Sequence, residues 1–230
     1  MNLLPVKALA IMVLVTFPAR GSAQEIKFAM HADPLITWMG SNSSEYASKG
    51  AMAGFNVGLN VLYYFADNYA VSSGISFLAA GGRLSAADNL VMVFNNINPV
   101  VTAGDEMRYN LKYMNIPLGI RLQTNQVGYL TYFTDVGFDI RMMLKSTVDL
   151  PNSSLGPINN ENAKNEVYGM NAGWHISFGI EYELGIETSL IAGLGYDQDF
   201  FDVTRDLKTV SQPDDRSGLR MVRFRLGVKF

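Results

Sequence analysis

From Tyr168 to Tyr182 the residues "YGMNAGWHISFGIEY" alternate without a break. Tyr168, Met170, Ala172, Trp174, Ile176, Phe178, Ile180 and Tyr182 fall on one side of the period, and Asn171, Gly173, His175, Ser177, Gly179 and Glu181 on the other. Successive side chains take opposite faces only in an extended strand, so this stretch is a strand with one apolar face and one small, polar face.

The same period predicts strands over 25–38, 53–65, 69–84, 107–122, 127–144, 167–182, 186–197 and 219–230, eight in all. Three connections are short, at Ala66-Asp67-Asn68, Gln123-Thr124-Asn125-Gln126 and Glu183-Leu184-Gly185. The other four, 39–52, 85–106, 145–166 and 198–218, are long and rich in Asn, Asp, Gly, Ser and Pro. Long and short alternate strictly. An antiparallel up-and-down meander of eight strands then carries four long loops at one end, and three short turns with both termini at the other. That is the layout of a transmembrane β-barrel of a bacterial outer membrane, with extracellular loops and periplasmic turns.

Alternation does not say which face is outside, because a soluble barrel of lipocalin type has the same period with its apolar face inward. The polar face carries Gly58, Gly74, Gly137, Gly173, Gly179, Gly193, Gly195 and Gly227 beside Asn56, Asn60, Ser72, Ser76 and Ser177. A water-facing surface has no need of such small residues. The interior of an eight-stranded barrel does, since it is just wide enough for side chains to fill. The charges on that face, Asp135, Asp139, Glu181 and Asp197 against Arg141, Arg223, Arg225 and Lys229, balance, as enclosed charges must. Aromatics fall in two groups. Tyr63, Tyr64, Phe65, Tyr69, Tyr129, Tyr132, Phe133 and Tyr182 lie beside the short turns, and Trp38, Tyr109, Tyr168, Phe200 and Phe201 near the long loops, as two interfacial girdles.

The chain opens with Lys7, the apolar run Ala8 to Phe17, and Gly21-Ser22-Ala23, the pattern of a secretory signal peptide over 1–23, leaving 24–230 as one barrel domain. That run is far short of the roughly 20 residues a spanning helix needs, and no later segment comes close. Residues 1–23 hold two cations, Lys7 and Arg20, and no acid, so cleavage takes the formal net charge from −3 to −5 and leaves no electrostatic case for nucleic acid. With no cysteine there is no disulfide, thiolate metal site or Cys nucleophile.

The last ten residues, "MVRFRLGVKF", set Val222, Phe224, Leu226, Val228 and Phe230 against Arg223, Arg225 and Lys229. They read as the closing strand, cations inward, and Phe230 resembles the terminal aromatic by which outer-membrane barrels are recognised by their assembly machinery. The segment "YNLKYMNIPLGIRL", Tyr109 to Leu122, holds Pro117 inside a strand and changes its apolar phase near Met114, which predicts a bulge there. It resembles the "Y-L-x-I-P-L-x-x-K/R" strand of the PorT-like outer-membrane barrels of Bacteroidota-type bacteria. The opening "IKFAMHADPL" has Ala29 and Ala32 where that family more commonly has glycine. The resemblance implies a non-enzymatic outer-membrane barrel acting as a scaffold or accessory subunit of an envelope or secretion assembly, type IX-like, with lipid, the barrel assembly machinery and other envelope proteins as partners.

Other readings stay open. A surface barrel using its long loops for ligand binding or adhesion has the same sequence pattern. An outer-membrane enzyme would draw on His31, Asp33 and His175, all expected in the lumen, because a carboxylate can orient an imidazole as general base; no nucleophile accompanies them, and a buried polar network accounts for them. Asp197, Asp199, Asp214 and Asp215 could hold calcium but lack the EF-hand spacing. No catalytic, cofactor-binding or metal-binding residue is assigned. Leu90 to Phe94 form an apolar run in a segment outside the membrane, which calls for a hairpin mate or a hydrophobic ligand.

Overall fold

The computed structural model describes residues 25–41, 46–87, 89–92, 94, 97–185, 187–204 and 217–230. The leader segment, Asp214 and Asp215 lie outside them. The strands in chain order are β1 (Glu25–Ser41), β2 (Tyr46–Ala66), β3 (Tyr69–Ala86), β4 (Leu90–Val91), β5 (Val100–Val101), β6 (Glu106–Gln123), β7 (Leu130–Leu150), β8 (Ile158–Asn162), β9 (Met170–Glu183), β10 (Ser189–Asp199) and β11 (Ser217–Lys229). The eight long ones, β1, β2, β3, β6, β7, β9, β10 and β11, form the up-and-down barrel, each antiparallel to the next. It closes where β1 pairs with β11, from Ala29↔Lys229 to Ser41↔Ser217. Closure matters because hydrocarbon offers no partner to an unpaired backbone group.

The interior has two storeys. Near the short turns the inward side chains are polar and the outward ones apolar, as in Arg121 and Asn115 against Leu118, Ile120 and Leu122 on β6. Toward the other end the pattern inverts. Met107, Tyr109, Leu111 and Tyr113 point inward and are buried, while Arg108, Asn110 and Lys112 point outward. On β6 the outward apolar run from Met114 to Leu122 spans nine residues, the length a tilted strand needs to cross a bilayer. Above it the walls of β2, β3, β6 and β7 continue as the shell of a water-soluble barrel around an apolar core. Leu35, Met39, Leu84, Val148, Leu150, Val167, Val203, Leu219 and Met221 pack in that core with the β6 residues.

This inversion corrects the expected bulge. Inward residues on β6 stay in one phase throughout, and β3 keeps one register with it across Pro117. The apolar side changes because the solvent outside changes from lipid to water. Pro117 merely interrupts the ladder to β3, where Ser73 Oγ donates to its carbonyl (3.1 Å). The register shift lies higher, on β7, where Lys112 pairs with Lys145 and Tyr113 with Met143, leaving Leu144 as the extra residue.

Three further expectations shift. The long loop over 39–52 is mostly strand, with only 42–45 between β1 and β2, because the apolar upper core keeps both walls paired above the membrane. The second turn extends to Tyr129, tightened by a Val127–Leu130 bridge. Of the aromatics placed in girdles, Tyr64, Tyr109 and Phe133 instead point inward and are buried. The apolar run after Leu90 does find a hairpin mate: β4 and β5 continue the register of β3 and β6 beyond the Ala86–Asp105 hydrogen bond, and the hairpin buries Met92, Phe94 and Val101 in the upper core.

One close approach binds the storeys together. Thr37 Oγ1 on β1 donates to the Gly81 carbonyl (2.7 Å) and accepts from its amide (3.1 Å), across the stretch where the β2–β3 ladder is interrupted between Gly50 and Phe55. A side chain on Gly82 would stand 2.5 Å from the Met39 nitrogen, so the Gly81-Gly82 pair serves close strand packing.

Candidate functional site

The chemistry of the molecule is concentrated in the lower lumen, where alternate residues of all eight barrel strands meet. Nearest the short turns, Arg121 on β6 makes a two-pronged pair with Asp135 on β7 (2.8 Å each) and reaches Glu181 on β9 (2.6 Å). Its guanidinium lies 4.0 Å from the centre of the Phe133 ring, and Lys229 on β11 also pairs with Glu181. Gly179 makes room for this stack, since a Cβ there would fall 2.4 Å from the Phe133 ring.

One level up, Asp33 on β1 collects His31 Nδ1 (2.9 Å), Asn56 Nδ2 (3.1 Å) and Arg225 (3.3 Å). On the opposite wall Asp139 accepts from Asn115 (3.0 Å), contacts His175 Nδ1 (2.8 Å) and lies 3.5 Å from Arg141. Arg141 further pairs with Asp199 and approaches Asp197 (3.8 Å), which Arg223 holds at 3.0 Å. All these groups are buried or nearly so. Enclosed charges of this kind are tolerated only when paired and hydrogen-bonded, and here every carboxylate faces a cation, an amide or an imidazole.

The sequence reading of the lumen therefore holds for Asp135, Asp139, Glu181, Asp197, Arg141, Arg223, Arg225 and Lys229, and for His31, Asp33 and His175. The structure does not bring the two histidines to one point: each sits with its own aspartate on a different wall. Arg121 and Asp199 were missed. Arg121 lies beyond the apparent phase change of β6, which hid its side. Asp199 has the look of a loop acid in the sequence, but β10 runs on to it, two residues past the expected end of the strand.

Two chemical uses can be tested against this geometry. The His31–Asp33 and His175–Asp139 pairs have the form of an oriented base, but Arg225 and Arg141 already hold the carboxylates, and Ser177, the nearest hydroxyl along β9, is directed at Asp135 (3.5 Å). Asp139, His175 and Asp197 offer three donors within 4.8 Å of one another. Arg141 and Arg223 compensate both of those carboxylates, so a cation there would have to displace two guanidiniums. At the short-turn end a mouth of about 320 Å³, lined by Lys27, Asp67, Gln123 and Gln126, reaches the Glu181–Lys229 pair.

A family model described as outer membrane protein beta-barrel domain matches residues 17–226. No curated protein matches the chain. Among solved structures it is similar to Neisserial surface protein A, with 13% identity over 88% of this chain and 95% of that one and a TM-score of 0.46. It is also similar to OprG of Pseudomonas aeruginosa, with 12% identity over 91% and 98% and a TM-score of 0.45. Ail of Yersinia pestis is 12% identical over 91% and 100%, with a TM-score of 0.42.

Proposed function

The chain belongs to the outer-membrane protein β-barrel domain family, and from that premise we propose that it is a non-conducting, non-enzymatic barrel serving as a scaffold or accessory subunit of an envelope or protein-secretion assembly. The observation that carries this reading is that the lumen is filled twice over. Ion pairs centred on Arg121, Asp139 and Arg223 occupy the membrane-level interior, and an apolar core capped by Met92 and Phe94 occupies the interior above it. A barrel built in this way spends its interior on rigidity. What it offers its surroundings is its outer surface, raised beyond the bilayer on β2, β3, β6, β7 and β8.

The resemblance of "YNLKYMNIPLGIRL" to PorT-like barrels supports a secretion-related, type IX-like assembly as the setting. Two measurements test the proposal. In planar bilayers the purified chain is expected to give no stable conductance; large, steady openings would overturn the sealed lumen. Extraction from native envelopes in mild detergent is expected to bring a defined set of envelope proteins with it in constant ratio. Recovery of the barrel alone, at native abundance and under several detergents, would overturn the scaffold role.

A further inference from the structure

Lys112 on β6 and Lys145 on β7 are direct cross-strand partners on the outer surface of the barrel, both exposed. Like charges placed opposite one another on a sheet destabilise the pair. Yet neither has a carboxylate within 4.0 Å among the described residues, in contrast to the cations higher on the same wall. There Arg83 and Arg108 share Glu106 (3.7 and 2.6 Å), whose carboxyl the hydrogen bond from Arg108 holds below the usual carboxylate range. Asp149 is likewise engaged, by Asn110 (3.1 Å) and the Asn160 amide (2.7 Å). A third exposed cation, Lys164, follows Ala163, whose amide donates to the Ser146 carbonyl (3.2 Å), which brings the lysine alongside Lys145.

The height of this row decides what it meets. Directly beneath it on the outer surface lie Met114, paired with Met142, and the exposed extra residue Leu144, the top of the apolar band. Cations above an apolar shelf match a ligand with a phosphate at one end and acyl chains at the other, and a soluble anion would leave the shelf unused. We propose that Lys112 and Lys145, flanked by Lys164, form a binding site for the phosphate of an anionic lipid in the outer leaflet, its chains lying on Met114, Met142 and Leu144. The site goes beyond the scaffold reading and needs only the orientation of the barrel in the outer membrane.

The test uses the full barrel in phosphatidylcholine vesicles containing spin-labelled phosphatidylglycerol or spin-labelled phosphatidylcholine, at ~10 mM salt, where exposed charges are little screened. The motionally restricted fraction of the anionic probe is expected to exceed that of the zwitterionic one about five-fold in relative association, consistent with lysines near an anionic headgroup. The preference should fall to parity in Lys112→Gln/Lys145→Gln and persist in Lys112→Arg/Lys145→Arg. Wild-type barrel should lose it in high salt, which tests the idea without a variant. Equal association of both probes with wild type, or a preference untouched by the glutamine pair, overturns the proposal. Inorganic phosphate titrated into the detergent-solubilised chain is expected to show no saturable binding. Saturable binding abolished by the glutamine pair, without a lipid preference, would overturn the lipid assignment in favour of a soluble anion.

Discussion

Arg121 shows what a single buried charge does in this barrel. Its guanidinium compensates Asp135 and Glu181 at once, so Arg121→Ala leaves Asp135 with only the more distant Arg225 (4.0 Å) and Glu181 with Lys229 alone. Removing one partner of a buried ionic cluster costs about 3–5 kcal/mol. That loss should appear as a lower midpoint in urea unfolding from lipid vesicles; an unchanged midpoint would mean that Lys229 alone satisfies Glu181. Ile176 tests the opposite face. It points outward on β9 between His175 and Ser177, which point in. Arginine at Ile176 should cost about 2–4 kcal/mol near the bilayer midplane. A spin label on Ile176→Cys, the one thiol in a chain without cysteine, should be relaxed strongly by oxygen and weakly by a water-soluble nickel reagent. A label reached by neither reagent would place the position in a protein core. At this scale the sequence was informative where a residue lay within one solvent regime, as with His175, and misleading at Tyr109. That tyrosine has the look of a girdle aromatic but lies above the membrane, where inward and apolar coincide.

Among the elements, the small β4–β5 hairpin is the part whose role depends most on tertiary contacts. Leu90↔Val101 and Val91↔Val100 pair, and the Met92 and Phe94 amides donate to the Pro99 and Ile97 carbonyls, a short two-stranded ladder that is marginal alone in water. It is held by the burial of Met92 and Phe94 among residues of the upper core and by Ser154, which bonds both the amide and the carbonyl of Val100. Phe94→Ala should cost about 3–5 kcal/mol if the site cannot collapse around the vacancy. The loss should be local: faster protease cleavage within 87–105, with the heat-modifiable migration of the barrel retained. A variant that migrates only as unfolded chain would show that the cap and the membrane-level barrel fold as one unit. The apolar run from Leu90 to Phe94 announced that something had to cover it, but not that the cover was the chain's own interior. β6 makes the same point from the other side, since one unbroken strand carries two opposite apolar patterns because it passes from lipid into water.

For the molecule as a whole, the decisive junction is the seam between first and last strands. Phe230 exchanges both backbone hydrogen bonds with Phe28 (2.9 Å each) and stacks on its ring at 6.4 Å. Deleting Phe230 or replacing it with Asp should therefore reduce the amount of heat-modifiable barrel in outer-membrane fractions, by weakening the seam and charging a lipid-facing position. Wild-type abundance of folded barrel would show that the seam closes without it. The existence of eight strands, their meander order and the lumen position of most charges followed from the sequence alone. A period of two needs only the geometry of the extended chain, and the spacing of Gly and Asn-rich breaks needs only local turn chemistry. The sequence could not show where the membrane ends. Strand lengths beyond the bilayer, the inward turn of Tyr109 and the cap formed by Met92 and Phe94 were decided by tertiary structure, because whether an apolar side chain faces in or out depends on the medium at that height. Alternation records only that two faces exist, and the height at which lipid gives way to water exists only once the barrel has closed.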